Sequence, residues 1–410
     1  MTEADRGSAE LGGFSDRRGR GGAVPLPCSS MEDHKTISPR CAPLSLLLLF
    51  AVVGADAPGE TVIGVHDSEL VRFRIVEVVG DLSHPWGMAF LPNGAIIVTE
   101  RSGTVKLVQD GRSTDIQGAP AVAANGQGGL LDVALHPEFE RNRLVYFTYS
   151  ARDSAGFGTR VGRAPLDGQT LELFEVLFSM EEFSTATHHV GSRMAFGEDG
   201  TLYFTIGDRG DRNRAPDLNQ HAGKVLRIND DGGVPQDNPF VGQEGVRPEI
   251  FSYGHRNPQG IAVDPATGTV WEHEHGPRGG DEVNIIRPGA NYGWPEITYG
   301  REYSGAYIAP DSKDGLEQPV IHWTPSIAPS GLAFYSADHI PEWKGNLFAG
   351  ALAGKELRRI VVNDREVVHQ ERLLVGVVGR IRDVSQGPDG NIWILTDESP
   401  GSLIRIEPAT

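Results

Sequence analysis

The chain has 410 residues, including 52 glycines and 27 prolines, and a formal net charge of −18. Its length allows one large domain or two ordinary ones, and the many glycines and prolines indicate frequent turns, as in an all-β fold. The acidic balance argues against a duplex nucleic acid or an anionic membrane surface as a partner, because like charges repel.

The N-terminal part has the features of an export signal. Lys35 and Arg40 precede an apolar run over residues 44–53, which is too short to span a bilayer comfortably. The small residues at 55–57 are typical of a cleavage site. We therefore expect residues 31–57 to be a secretory signal peptide, not a membrane span, and the protein to be periplasmic or secreted.

The residues before this signal do not fit an exported protein. Residues 1–30 are rich in Gly, Arg and Ser, so we expect them to be a non-native or disordered extension and Met31 to be the natural start. Both cysteines, Cys28 and Cys41, fall in the part that we expect to be removed. The predicted mature domain, residues 58–410, then has no disulfide and no thiolate metal site.

A short pattern returns along the rest of the chain. It consists of an apolar-Ala-apolar triplet, a turn containing Pro or Gly, and three or four β-forming residues, which is a hairpin signal. The triplets are Met88-Ala89-Phe90, Val133-Ala134-Leu135, Met194-Ala195-Phe196, Ile261-Ala262-Val263 and Leu332-Ala333-Phe334, with a looser sixth copy at Val384. Their alanines are 45, 61, 67 and 71 residues apart.

A unit of this size that holds several strands is typical of a propeller blade. Six copies therefore predict an all-β, six-bladed β-propeller, with a two-sheet sandwich as the alternative. Residues 61–79 and 402–406 are also β-like, and pairing between them would close the ring.

Propellers bind ligands at one mouth of the central channel, on loops from successive blades. Polar residues at the ends of different repeats should therefore converge. The residues expected to do so are Gln127, His189, Asp208, Arg256, Asn257, Arg380 and Arg382.

Two of these residues suggest proton transfer. His189 precedes the third triplet, and Asp208 ends the strand that follows it. A neutral imidazole is the usual base near neutral pH, and a carboxylate can orient it.

The stretch from Pro248 to Pro295 is unusually polar and glycine-rich. Gly276-Pro277 and Glu282 suggest a hard cation such as calcium, which accepts carbonyl and carboxylate oxygens in irregular geometry. Zinc is the alternative, because His273 and His275 would share one face of a strand, but no third ligand is evident. A solvated surface loop is the plain alternative to a site.

Three arginines stand out in this acidic chain. Arg256, Arg380 and Arg382 suggest a small anionic ligand held by bidentate contacts. Arg380 and Arg382 are at strand spacing and should share one face. Structural salt bridges are the alternative for each of them.

These motifs resemble a known family: the soluble, calcium- and pyrroloquinoline-quinone (PQQ)-dependent sugar dehydrogenases, in particular the bacterial aldose sugar dehydrogenases. The family fold is a six-bladed propeller, in agreement with the repeat count. The resemblance covers nearly all of residues 80–406 in family order. The matching motifs are HPWGMAFLPNG from His84, GQGGLLDVALHPEF from Gly126, HHVGSRMAFGEDGTLYFTIGD from His188, GKVLRIN from Gly223, YGHRNPQGIA from Tyr253, EHGPRGGDEVN from Glu274, NYGWP from Asn291 and RIRDVSQGPDGNIWILTD from Arg380.

The resemblance implies oxidation of an aldose at its anomeric carbon to the lactone. His189 would take the hydroxyl proton with support from Asp208, and a hydride would pass to the quinone. The residues implied to hold PQQ are Gln127, Arg256, Asn257, Tyr303, Arg380 and Arg382. Carbonyls of Gly276 and Pro277 would bind the calcium that polarises the quinone, and Glu282 with the Tyr292 carbonyl would bind a second, structural calcium.

The chain departs from the family pattern at one cofactor contact. Family members carry a lysine in the loop that follows a fifth-blade strand, and the simplest alignment puts Ala353 at that position. We expect Lys355 to replace it, because a two-residue offset along an extended strand keeps the same face.

Three functions remain open from the sequence. The first is a quinoprotein aldose dehydrogenase that passes electrons to an external acceptor. The second is a calcium-dependent propeller lactonase, and the third is a non-catalytic propeller that binds a sugar or a protein.

Overall fold

The computed structural model describes residues 59–409. The predicted extension (1–30) and signal peptide (31–57), with both cysteines, lie outside the described residues. None of the helices in the described range is long and apolar enough to cross a membrane.

Regular structure in this range is almost entirely β-strand. The exceptions are helix α1 (Phe139–Asn142) and two 3-10 turns, Arg212–Arg214 and Pro341–Trp343. The strands are β1 (Thr61–Asp67), β2 (Arg72–Leu82), β3 (Pro85–Phe90), β4 (Ile96–Glu100), β5 (Val105–Gln109), β6 (Arg112–Ile116), β7 (Leu130–Leu135), β8 (Leu144–Arg152), β9 (Phe157–Asp167), β10 (Thr170–Leu171), β11 (Glu175–Ser179), β12 (Met194–Phe196), β13 (Leu202–Ile206), β14 (Lys224–Ile228), β15 (Ile250–Tyr253), β16 (Pro258–Val263), β17 (Val270–Glu274), β18 (Asp281–Ile285), β19 (Ile321–Trp323), β20 (Pro329–Phe334), β21 (Leu347–Ala351), β22 (Glu356–Asn363), β23 (Glu366–Leu373), β24 (Ile381–Gln386), β25 (Ile392–Thr396) and β26 (Gly401–Pro408).

These strands form six antiparallel sheets, so the predicted six-bladed propeller is confirmed. Blades 1 to 5 begin in turn with β3, β7, β12, β16 and β20, and each is built from consecutive strands. In blade 2, both β10 and β11 pair with β9. Each repeated triplet lies at the end of the innermost strand of its blade, and the β-forming residues after it make the second strand.

Blade 6 joins the two ends of the described chain. Its strand order is β1-β2-β26-β25-β24, so three strands come from the C-terminal part and two from the N-terminal part. Strands β2 and β26 pair antiparallel, with Ile75 opposite Ile406. The predicted closure of the ring is therefore present.

The apolar core lies between blades. Six clusters of buried side chains each take residues from two neighbouring blades, for example Ile97 and Phe147 between blades 1 and 2. A large-to-small substitution in such a cluster costs about 2–5 kcal/mol, and here it would loosen the contact between two blades.

The antiparallel pairing also determines where functional residues meet. Each innermost strand begins at the end of the ring where the second strand of the same blade finishes. We call this end the upper mouth. Residues just before an innermost strand and just after a second strand therefore lie close together there.

Candidate active site

Polar residues of different blades meet at the upper mouth. Gln127 precedes β7, His189 precedes β12, Arg256 and Asn257 precede β16, and Arg382 lies in β24. They line two adjoining cavities of about 780 Å³ and 290 Å³, which share Gln127 and Asn257 in their walls. The larger cavity also contains His189 and Arg256, and the smaller one contains Arg382.

His189 forms a hydrogen-bonded pair with a buried carboxylate. Its Nδ1 lies 2.6 Å from Asp208 Oδ1. Asp208 also accepts hydrogen bonds from the Gly210 amide at 2.7 Å and from Trp294 Nε1 at 2.8 Å. Burial alone would raise the pKa of Asp208, but its contacts with His189, Gly210 and Trp294 outweigh burial and hold this pKa below its usual value. Because an ionised Asp208 accepts the Nδ1 proton, the lone pair of a neutral His189 lies on Nε2.

The backbone around His189 is held in an uncommon conformation. His189 has φ of 52°, in the left-handed region that few non-glycine residues adopt. Its amide donates to Gln127 Oε1 at 2.7 Å, which fixes the turn. A Cβ at Gly207 would lie 2.4 Å from the His189 carbonyl oxygen, so only glycine allows the two segments to approach this closely. Strain of this kind is typical of functional sites.

The guanidinium of Arg256 points at backbone carbonyls, not at a carboxylate. Its Nη1 donates to the carbonyls of His275 at 2.9 Å and Gly276 at 2.8 Å. Its Nη2 lies 3.5 Å from the hydroxyl of Tyr303, a residue that is 73% exposed at the cavity mouth. None of these partners is a carboxylate, so they leave the positive charge of Arg256 on the wall of the larger cavity uncompensated.

Glu274 supports this part of the wall from behind. Its Oε2 accepts hydrogen bonds from the backbone amides of Arg256 and Asn257, and its Oε1 lies 3.0 Å from His255 Nδ1. All four residues are buried. The carboxylate therefore orients the segment that carries two of the predicted cofactor ligands.

Arg380 and Arg382 do lie on one face, as their spacing predicted. Their Nη2 atoms lie 3.1 Å and 2.8 Å from the same oxygen, Asp397 Oδ2. Arg382 also reaches Gln259 Oε1 at 3.3 Å, while its buried Nε has no partner. One carboxylate for two guanidinium groups leaves a net positive charge on the smaller cavity.

The structure does not bring Lys355 to either cavity. Ala353 lines the larger cavity, whereas Lys355 is exposed and is not among the lining residues. The expectation assumed an extended strand, but residues 352–355 form a turn in which Lys355 has φ of 47°. Alternation of faces does not apply in a turn, so the two-residue offset gives no reason for Lys355 to reach the site.

The predicted calcium ligands lie on the connection between β17 and β18. Gly276 and Pro277 line the larger cavity. The Gly276 carbonyl accepts a hydrogen bond from the Arg256 guanidinium at 2.8 Å, so a calcium ion bound there would share this oxygen with Arg256. Carbonyl oxygens are among the ligands that calcium prefers.

The second predicted ion site is a small separate cavity. Glu282 and Tyr292 line a space of about 10 Å³ together with Glu274 and Gly276. Burial and the charge of Glu274 raise the pKa of Glu282 well above its usual value. A space large enough for about one small particle, lined by two carboxylates, fits a single cation.

The alternative zinc pair does not converge on an ion. His273 Nε2 lies 3.3 Å from the Gly331 carbonyl, and His275 Nε2 lies 2.6 Å from the Pro329 carbonyl. Burial lowers the pKa of His273 to about 4 and that of His275 to about 3, so both rings are neutral. They share a face, as expected, but they use it to contact blade 5.

Comparison with known proteins identifies the family. The family model described as Glucose / Sorbosone dehydrogenase matches residues 82–405. The chain belongs to the glucose/sorbosone dehydrogenase family.

Relatives within this family cover most of the chain. The aldose sugar dehydrogenase YliI of Escherichia coli is 44% identical over 345 residues, which cover 81% of this chain and 92% of the relative. The crystal structure of the soluble aldose sugar dehydrogenase from Escherichia coli in the apo-form is 42% identical and covers 82% of this chain and all of that one, with a TM-score of 0.80. The PQQ-bound form of an aldose sugar dehydrogenase from Streptomyces coelicolor is 29% identical and covers 86% and 99%, with a TM-score of 0.69.

The cavities of this glucose/sorbosone dehydrogenase family member have donors that would suit a quinone such as the PQQ of the Streptomyces coelicolor relative. A quinone with carboxylates needs guanidinium and amide donors, which Arg256, Asn257, Gln127 and Arg382 supply on adjoining walls. The unpartnered Nε of Arg382 is a further free donor. The larger cavity, at about 780 Å³, is within the usual range for small-molecule sites, about 300–1,000 Å³.

The sequence did not single out several residues that build the site. Trp294 binds Asp208, and Asp397 pairs with two arginines, although each partner is remote in sequence. Arg278 and Arg301 line the larger cavity. Asp397 follows the second strand of its blade by one residue and Asp208 follows the second strand of its blade by two, so the repeat places both at the upper mouth.

Proposed function

We propose that this quinoprotein sugar dehydrogenase oxidises aldoses at the anomeric carbon to the lactone, with PQQ and calcium bound at the upper mouth. The observation that carries the proposal is the His189–Asp208 pair. It stands on the wall of the cavity that also holds Arg256 and Asn257. A lactonase would have less use for so many cationic groups.

In the proposed reaction, His189 acts as the general base. Its Nε2 accepts the proton of the anomeric hydroxyl, while Asp208 stabilises the imidazolium that forms. The anomeric C–H bond breaks with loss of a hydride, and the C=O bond of the lactone forms. The sugar thus loses two electrons and two hydrogens in total.

The cofactors would be held by residues already in place. PQQ supplies the two-electron acceptor, and calcium bound to carbonyls such as those of Gly276 and Pro277 supplies Lewis-acid polarisation. Asn257 and Gln127 orient ligands between the two cavities, and Arg382 provides charge for a carboxylate. An external acceptor then takes the electrons, and we propose that the protein works outside the cytoplasm.

Reconstitution tests the proposal. The purified protein is titrated with PQQ and calcium, and aldose-dependent dye reduction and lactone formation are measured. His189→Ala should bind PQQ normally, as followed by fluorescence, and lose about 100- to 10,000-fold in turnover. His339→Ala is the control, since His339 is an exposed histidine between β20 and the 3-10 turn Pro341–Trp343 and lines neither cavity.

The outcomes separate the open functions. Turnover of His189→Ala within a few-fold of the unmodified protein would show that His189 is not the base. Lactone hydrolysis without PQQ would favour the lactonase, and sugar binding without any turnover of the reconstituted protein would favour a binding protein.

A further inference from the structure

The larger cavity is positively charged in an acidic protein. Its wall contains Arg256, Arg278 and Arg301 and no aspartate or glutamate, although the whole chain has 55 acidic and 37 basic residues. The Arg256 guanidinium is directed at backbone carbonyls. Arg278 and Arg301 are exposed at the rim, where a substrate would enter.

Neither rim arginine belongs to a structural ion pair. Within the described part of the chain, no carboxylate lies within 4.0 Å of the guanidinium of Arg278 or Arg301. The carboxylate next to Arg301 in sequence, Glu302, pairs with Arg212 at 2.9 Å. The charges of the two rim arginines are therefore available to a ligand.

The backbone places these two charges side by side. Arg278 N donates to Arg301 O at 3.0 Å, and Arg301 N donates to Arg278 O at 3.2 Å. Residues that exchange both hydrogen bonds are directly opposite each other, so their side chains lie on the same face. Like charges in that arrangement repel unless an anion lies between or beside them.

We propose that the rim formed by Arg278 and Arg301 selects aldoses that carry an anionic group away from the anomeric carbon. This inference rests on the proposed function, because the anomeric carbon must lie at His189. The rim arginines are in the cavity of the base, whereas Arg380 and Arg382 are in the smaller cavity. The charge is thus in the cavity where the substrate has to approach the base. A carboxylate at C6 (a uronic acid) or a phosphate at C6 would both be bound by guanidinium forks.

Steady-state kinetics of the holoenzyme test this. The kcat/KM values for glucuronate and glucose 6-phosphate are compared with that for glucose at low ionic strength. We expect at least one charged sugar to be favoured about tenfold or more, because charge-assisted contacts and steering both act on it. A preference for only one of the two identifies the anionic group. The preference should shrink in about 0.5 M salt, where charges are screened over a few ångströms.

Variants assign the effect to the rim. In Arg301→Gln and in the double variant Arg278→Gln/Arg301→Gln, the ratio of charged to neutral kcat/KM should fall about tenfold. Arg365→Gln is the control, since Arg365 is an exposed arginine in the turn between β22 and β23 that lines neither cavity. Methyl glucuronide, which cannot be oxidised, should inhibit the unmodified enzyme more strongly than methyl glucoside and lose this advantage in the variants.

Three results would overturn the inference. The first is equal use of neutral and charged sugars by the unmodified enzyme, and the second is an unchanged ratio in both variants. The third is loss of PQQ affinity in Arg301→Gln, which would assign that arginine to the cofactor. If glucose is oxidised normally while charged sugars are not preferred, only this inference fails. If the reconstituted protein oxidises no aldose, the proposed function fails.

Discussion

Replacing Asp208 by asparagine should turn one of its two acceptor oxygens into an NH₂ donor without changing the shape of the side chain. The carboxylate accepts three hydrogen bonds, on Oδ1 from His189 Nδ1 at 2.6 Å and Gly210 N at 2.7 Å, and on Oδ2 from Trp294 Nε1 at 2.8 Å. The new amide has only one oxygen. If that oxygen faces His189, the amide NH₂ opposes the Trp294 N–H. If it faces Trp294, the NH₂ opposes both Gly210 and His189.

Either orientation has a measurable consequence. Two opposed donors at a site where Asp208 is 1% exposed cost about 1–3 kcal/mol of stability. When the NH₂ faces His189, Nδ1 becomes the acceptor and the proton moves to Nε2, so the base is lost. Turnover should then fall about 100- to 10,000-fold.

A second substitution separates the effect of the amide orientation at position 208 from a general loss of stability. Trp294→Phe removes the opposing donor, so in Asp208→Asn/Trp294→Phe the amide oxygen can face His189 again. The double variant should therefore turn over at least about tenfold faster than Asp208→Asn alone, although its melting temperature is lower. Single-turnover rates of PQQ-loaded enzyme and thermal unfolding are the measurements. The reasoning is refuted if Asp208→Asn keeps turnover within a few-fold, or if the double variant is no faster than the single one.

Three further predictions concern other parts of the molecule. Removing calcium should lower the melting temperature of the PQQ-free protein, and Glu282→Gln should reduce that loss, because only one of the two carboxylates that line the small cavity then remains to bind a cation. Ala353→Lys should tighten PQQ binding about tenfold or more in a fluorescence titration, whereas Lys355→Ala should leave it unchanged; the opposite pattern would show that Lys355 reaches the cofactor. In the connection between blades 2 and 3, burial alone would raise the pKa of Glu182, but His221 lowers it to about 2. Burial alone would lower the pKa of His221, but contacts with Glu182 and Glu249 raise it. Glu182→Gln should therefore lower the free energy of unfolding most between about pH 4.5 and 6.5. The loss should be smaller at lower pH, where Glu182 is protonated, and smaller at higher pH, where His221 loses its proton. A loss that does not vary with pH would contradict this.

The fold could be predicted from the sequence because the innermost strand of every blade is packed in the same way. An innermost strand is enclosed by two neighbouring blades, so its residues recur as short apolar triplets such as Met88-Ala89-Phe90. Outer strands have fewer neighbours and more variable loops. The double pairing of β9 with β10 and β11 in blade 2 therefore has no counterpart in the repeat.

The site was predictable only as far as the repeat reaches. Gln127, His189 and Asn257 have equivalent places before innermost strands, so their convergence follows from the ring. Trp294 is in the long connection between β18 and β19 of blade 4. Its hydrogen bond to Asp208 depends on a fold that brings together residues 86 positions apart. The sequence misplaces Lys355 because residues 352–355 form a turn, in which side chains do not alternate between faces as they do in an extended strand.

Because blade 6 is built from both ends of the described chain, the active site is complete only when nearly all of that chain has folded. Strand β26 has to be synthesised before it can pair with β2. Until that pairing closes the ring, Arg380, just before β24, and Arg382, within β24, cannot face the other blades. Such distant pairing is slow to form. During synthesis, at about 5–20 residues per second, the growing polypeptide would have successive blades but no complete pocket for a quinone. A C-terminally clipped chain that lacks β26 should thus have no complete pocket, because blade 6 cannot close.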